Sequence, residues 1–152
     1  MKYGGLPRIA DDLAAAMASI QPRADGPSAL VPIPLAPKRL RQRGYNQSEA
    51  LAGALARQWR IPVLVDALAR TRETPTQTTL TPETRLANVA GAFDVRRAAW
   101  DVWRRRSHGC AARDTPHVVL VDDVFTTGAT LAEAARALEQ AGATRIMGVT
   151  FA

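Results

Sequence analysis

The chain has 152 residues, 47% hydrophobic and 22% charged, proportions of a single soluble domain that buries about two-thirds of its unfolded surface. No apolar run nears the ~20 residues that cross a bilayer, Asp11 and Asp12 interrupt any signal-peptide core, and the lone Cys110 excludes an internal disulfide or cysteine metal cluster. The formal charge of +6 is uneven: four bases without an acid in residues 38–43 and six arginines against Asp101 in residues 96–113 make +9, leaving −3 elsewhere.

Leu13, Ala16, Met17 and Ile20 recur at helical spacing and predict an amphipathic helix from about Pro7 to Ile20. Gln21 to Ser28 reads as a loop and Ala29 to Ile33 as a short buried strand. The basic segment around Lys38, Arg39 and Arg43 reads either as a solvated loop or as a contact for a polyanion. Asn46, with Glu49 three residues on, starts a helix that runs to about Trp59 and presents Leu51, Ala54, Leu55 and Trp59 on its apolar face. Ile61 to Val65 is the next expected strand, with Pro62 near its beginning.

Thr71 to Thr81 is long, polar and aperiodic, the mark of a functional or disordered loop. Thr81-Pro82 opens a short helix that ends near Ala90-Gly91, and Ala92 to Val95 is a candidate small strand. Arg96 to Thr115 shows no clear period. Its arginines interleave with Trp100 and Trp103, which fits either a nucleic-acid surface built on stacking and phosphate contacts or a solvated insertion whose tryptophans pack on the domain.

Residues 118–131 are the most informative. Val118 to Val121 form a continuous apolar run, the pattern of a strand buried on both faces. Asp122 and Asp123 follow, then a hydroxyl- and glycine-rich turn, Thr126 to Thr130. Leu131, Ala134, Ala135 and Leu138 mark the helix beyond, which Gly142 ends before a strand from Arg145 to Phe151. Strands alternating with helices predict a parallel α/β sheet flanked by helices. A loop between a parallel strand and a helix lies at the carboxyl edge of the sheet, where such folds bind ligands. Free backbone amides and a helix N-terminus there suit a phosphate. The paired carboxylates suit sugar hydroxyls, or a cation shared with a second anionic group. A plainer reading is a capping box between Thr130 and Glu133, which leaves the adjacent aspartates unexplained.

This strand, acid pair, Thr-Thr-Gly and helix resemble the signature of type I phosphoribosyltransferases, which bind 5-phosphoribosyl pyrophosphate (PRPP). The resemblance implies that Asp122 and Asp123 hold the ribose hydroxyls and that Thr126, Thr127, Gly128, Ala129 and Thr130 take the 5-phosphate. A second set of residues resembles the ComF-type competence proteins of the same superfamily. It comprises Val31-Pro32-Ile33-Pro34-Leu35, then Arg39-Leu40-Arg41-Gln42-Arg43-Gly44-Tyr45-Asn46-Gln47, and the block from Arg70-Thr71 through Gln77, Leu80, Arg85, Asn88 and Phe93. The likeness runs from Lys2-Tyr3-Gly5 to Thr150-Ala152.

From the resemblance follow several expectations. The chain is one phosphoribosyltransferase-like domain over residues 1–152, with a flexible hood at about 70–90 and a basic insertion at about 96–115. Pro32, Ile33, Pro34 and Arg43 would cradle pyrophosphate, in a turn that in the family often carries a strained or cis peptide. Gln77, Arg85 and Asn88 would belong to the hood, whose closure limits hydrolysis of the activated sugar. Mg²⁺ is expected with PRPP, held mainly by ligand oxygens and water. Transfer of phosphoribosyl to a nitrogen acceptor needs no nucleophilic side chain, and His117, just before a buried strand, reads as structural. The family's link to DNA uptake implies a different class of function: a competence factor that binds PRPP or DNA without turnover, or a PRPP-sensing regulator. Single-stranded DNA, a competence-machinery protein and a second copy of the chain are the corresponding partners. The cytoplasm is the expected compartment. Family members commonly carry a Cys-rich zinc module ahead of the Lys-Tyr-x-Gly segment, whereas this sequence opens at that segment.

Overall fold

The structure is a computed structural model and describes residues 12, 15–16, 29–72, 89–107, 117–125 and 127–150. Asp12, Ala15 and Ala16 are helical, as the spacing predicts; the rest of that first helix lies outside the described residues.

Three strands form a parallel sheet: β1 (Ala29–Pro32), β4 (His117–Val121) and β5 (Arg145–Val149), in the order β1-β4-β5. The register runs from Ala29↔Val118 to Pro32↔Val121 on one side of β4, and from His117↔Arg145 to Val121↔Val149 on the other. Every residue of β4 is buried because both faces are covered. Val118 and Leu120 face a cluster containing Val31, Trp100, Ala134 and Leu138. Val119 and Val121 alternate to the opposite cluster, with Leu30, Leu51, Leu55 and Trp59. This period-two division explains why the strand reads as an unbroken apolar run. Each fully buried side chain of this kind contributes about 1.5–3 kcal/mol through desolvation.

The expected strand at Ile61–Val65 shrinks to one parallel bridge between Val63 and Leu30. Leu30 N–H donates to Pro62 O (2.9 Å) and Leu64 N–H donates to Leu30 O (2.8 Å). Pro62 has no N–H to extend the ladder, and the chain turns at Val65. Leu68–Arg70 (β2), which the sequence pattern does not reveal, pairs antiparallel with Phe93–Val95 (β3) in a separate two-stranded ladder. The small strand expected at Ala92–Val95 is thus present, outside the parallel sheet.

Four further helices lie entirely among the described residues. The first, α1 (Pro37–Arg43), was not expected, although Pro37 sits at its start and Gly44 closes it at φ 79°, donating to Leu40 O. In α2 (Gln47–Trp59), Leu51, Ala54, Leu55 and Trp59 are buried as the spacing predicts. Within the stretch of no clear period lies α3 (Arg97–Ser107). Trp100 is completely buried and its Nε1 donates to Ala141 O at 3.0 Å, while Trp103 is buried beside it. Neither indole is available to stack on a base, so the packing alternative holds for both tryptophans. After β4, α4 (Ala129–Gln140) buries Ala134, Ala137 and Leu138. No helix among the described residues is long and apolar enough to cross a membrane.

Because the three strands run parallel, Pro32, Val121 and Val149 end at one edge, and α2 and α4 begin near it. The amino edge is closed by α3, whose Trp100 and Arg104 both donate to Ala141 O at the end of α4.

Candidate functional site

At the carboxyl edge, Ile33 N–H donates to Val121 O at 2.9 Å, carrying the strand pairing one residue past β1. The Ile33 carbonyl accepts from Asn46 Nδ2 at 3.0 Å. Pro32 and Ile33 are buried and Pro34 is half-buried. Among the described residues no peptide bond is cis. This turn is therefore held from both sides, by β4 and by the residue that caps α2.

Arg43 lies exposed in the last turn of α1 and donates to the Gln47 side chain. An arginine tied electrostatically to Asp122 is Arg70. It is half-buried at the end of β2, with its guanidinium 5.3 Å above the Phe93 ring. Burial and the neighbouring Arg39 pull its pKa down, while Asp122 supports its charge. Neither the periodicity nor the composition distinguishes Arg70; the sequence marks it only within the Arg70-Thr71 block, with no role, and its place in the fold brings it to Asp122.

Asp122 directly follows β4 and is only 9% exposed. Its N–H donates to Val149 O at 3.0 Å, fixing the backbone. One carboxylate oxygen, Oδ1, accepts from the Asp123 amide at 2.9 Å and from Ser48 Oγ at 3.2 Å. Burial pushes its pKa up to about 6; the Asp123 carboxylate pushes the same way, against the two donors. At neutral pH the group is mostly ionised, a buried acceptor suited to ligand hydroxyls. Asp123 is half-buried beside it.

Five residues on from Asp123, Gly128 caps α4 at φ 73° and ψ −2°, without a side-chain cap bond of its own. Glycine is required twice over. A side chain at that φ is strained, and a methyl group would come within 3.0 Å of Phe125 Cε2. Gly128 thus offers the first amides of α4 no side-chain acceptor, an arrangement that suits an anion. Thr127 and Thr130 are half-buried and Ala129 is buried; Thr126 lies outside the described residues.

The capping box is absent. Glu133 instead accepts from Gly91 N–H at 2.7 Å and from Arg136 through two bonds of 2.6 and 2.9 Å. The Arg136 hydrogen bonds lower its pKa against the opposing effect of burial. Gly91, Thr71 and Arg72 join at the foot of β2 and β3: Thr71 N–H donates to Ala92 O and Arg72 Nη2 to Ala90 O. The intervening Gln77, Arg85 and Asn88 lie outside the described residues.

The site thus combines a carboxylate pair, one buried and one half-buried, with a helix N-terminus whose cap is a glycine, on adjacent positions of one parallel-sheet edge. Side by side, such elements can accept hydroxyl donors and bind an anion. A fold of this class with this pair of elements is that of a phosphoribosyl transferase domain, and the family model of that description matches residues 46–152. The chain belongs to that family, within its ComF-type branch.

The chain is 36% identical over 120 residues to competence protein F of Haemophilus influenzae, covering 79% of this chain and 48% of that protein. It is 37% identical over 120 residues to the DNA utilization protein YhgH of Escherichia coli K12, covering 79% of this chain and 47% of the other. It is 32% identical over 120 residues to the DNA utilization protein YhgH of Salmonella typhimurium, covering 79% of this chain and 47% of the other. The chain spans about half the length of these curated relatives.

Proposed function

We propose that this chain binds PRPP as its Mg²⁺ complex at the carboxyl edge of the sheet and transfers the phosphoribosyl group to a nitrogen acceptor. The observation that carries the reading is the juxtaposition of the Asp122–Asp123 pair with the glycine-capped start of α4. The carboxylates accept from the two ribose hydroxyls, and the 126–130 loop takes the 5-phosphate through backbone amides and threonine hydroxyls. Pyrophosphate lies towards the Pro32-Ile33-Pro34 turn, with Arg39 and Arg70 as cations on that side. Arg43, engaged with Gln47, is the weaker candidate.

In this reaction the bond from the anomeric carbon to the pyrophosphate oxygen breaks, and its electron pair leaves with pyrophosphate. The acceptor nitrogen supplies the pair for the new bond and gives up its proton. Mg²⁺ arrives with PRPP and offsets charge on the leaving group. The side chains contribute position and electrostatics rather than a covalent intermediate. Gln77, Arg85 and Asn88 would act from the hood in excluding water.

Calorimetric titration of PRPP, with and without Mg²⁺, into the wild type and an Asp122→Asn/Asp123→Asn variant tests the binding. Metal-dependent binding that disappears in a folded variant supports the site; equal binding by both proteins rejects it. Pyrophosphate release with nitrogenous acceptors then tests turnover.

A second reading draws on the relatives named for competence and DNA utilization. The chain would serve DNA uptake without turnover, as a binder of PRPP or single-stranded DNA or as a PRPP-sensing regulator. The exposed Arg97, Arg105 and Arg106 of α3 favour a polyanion contact there. PRPP binding without pyrophosphate release for any acceptor, together with salt-sensitive DNA binding lost on removing those arginines, would select this reading.

A further inference from the structure

Two polar residues at the start of α2 belong to none of the subsites above, yet join two of them. Asn46 caps the helix: its Oδ1 accepts from Ser48 N–H at 3.2 Å. The other end of the same amide, Nδ2, donates to Ile33 O in the turn after β1. At the second residue of the helix, the buried Ser48 hydroxyl reaches across 74 positions of sequence to Asp122 Oδ1, the oxygen that also holds the Asp123 amide. A continuous hydrogen-bonded path therefore runs from the Ile33 carbonyl through Asn46 and Ser48 to both aspartates.

We propose that Asn46 and Ser48 are positioning residues. They form a strut that sets the carboxylate pair at a fixed separation and orientation from the Pro32-Ile33-Pro34 turn. The proposal rests on the reading of the site as a PRPP site and adds to it the means by which ribose and pyrophosphate ends are held in register. Three features support it. Ser48 is 3% exposed, so its hydroxyl is not a solvated surface group. Asn46 uses both ends of its amide, which few N-caps need to do. The Ile33 amide is already bound to Val121 O, so its carbonyl contact completes a rigid frame around that residue. Burial of the Ser48–Asp122 bond keeps that bond from exchanging with water. It also places Asp122 beside the positive end of α2, where an anion is stabilised.

Two substitutions separate the halves of the strut. Ser48→Ala removes the contact to Asp122 and leaves the cap intact. Asn46→Ser preserves capping, since serine caps about as well as asparagine, but removes the donor to Ile33 O. Amide exchange at Asp123 is read without ligand, and affinities for PRPP and for ribose 5-phosphate with it. Ser48→Ala is expected to speed Asp123 exchange about fivefold and weaken both ligands by a similar factor, the equivalent of one net hydrogen bond. Ser48→Thr restores the hydroxyl and should restore both readouts. Asn46→Ser is expected to weaken PRPP about fivefold and leave ribose 5-phosphate unchanged.

Unaltered Asp123 exchange in Ser48→Ala, or equal loss of both ligands in Asn46→Ser, would overturn the strut. Should the wild type bind neither ligand, the functional reading falls, and Asp123 exchange by itself still upholds or overturns the strut.

Discussion

The two ends of the parallel sheet are built on opposite principles. At the amino end Trp100 is wholly buried, its ring 5.0 Å from that of Trp103, and its one polar atom is bonded to Ala141 O. Leu138, Ala141 and Ala143 fill the same cluster. At the carboxyl end a buried carboxylate sits beside a second acid, an arginine loses charge stability to burial and a neighbouring arginine, and glycine holds a left-handed conformation. Val124 and Phe125 stand exposed between these groups. One end lowers the energy of the fold. The other spends part of that stability on buried charge and a strained turn, as sites shaped for function commonly do.

Substitutions that divide along this line test it, and the largest effect belongs to the amino end. Trp100→Ala should lower stability by about 3–5 kcal/mol, measured by denaturant unfolding, because it empties a closed site. A loss below about 1 kcal/mol would break the comparison.

At the other end the sign reverses. Asp122→Asn keeps an acceptor for Ser48 and Asp123 and removes the buried charge, so stability at pH 7 should rise, by at most about 3 kcal/mol. The pH dependence follows from the raised pKa. The folded protein holds this proton more tightly than the unfolded chain, so Asp122's contribution to stability declines as pH climbs from about 3.8 to about 6. The advantage of the variant should therefore grow across that window and level off above it. An advantage that shrank with rising pH would contradict the assigned burial.

Gly128→Ala should cost about 1–2 kcal/mol, from the positive φ and the displaced Phe125 ring. It should weaken phosphate-bearing ligands more than ribose alone; uniform weakening would mean that the turn does not cradle phosphate. The smallest effect is that of Glu133→Gln, about 1 kcal/mol at neutral pH, through the weakened contacts to Arg136 and Gly91. Here the pKa is lowered, so the stabilisation is present above the ordinary glutamate value and is lost as pH falls through the folded one. A proteolysis assay at the Gly91 turn would sharpen this prediction, with faster cleavage expected in the variant.

Much of this was legible in sequence wherever burial imposed a period. The strands β1 and β4 and the helices α2 and α4 all carry it, because each packs a defined face. The elements that escaped notice are short or carry charge over their apolar pattern. The seven residues of α1 read as a basic cluster, though Pro37 and Gly44 bracket them. Arginines hide the Ala99, Trp100 and Trp103 spacing of α3. With three residues, β2 is too short to show alternation. The acid pair and the Thr-Gly turn after it were readable because they are contiguous. Ser48 and Arg70 were not, since what defines their roles is proximity to Asp122 across long stretches of chain, created only by the parallel crossover and the β2–β3 ladder.

The measurement that bears most directly on this account is a paired one on Asp122→Asn at pH 7: unfolding free energy and Mg²⁺–PRPP affinity on the same preparation. The account predicts a more stable protein with PRPP binding reduced at least tenfold. A destabilised variant that still binds PRPP as the wild type does would show that the buried carboxylate serves the fold and not the ligand.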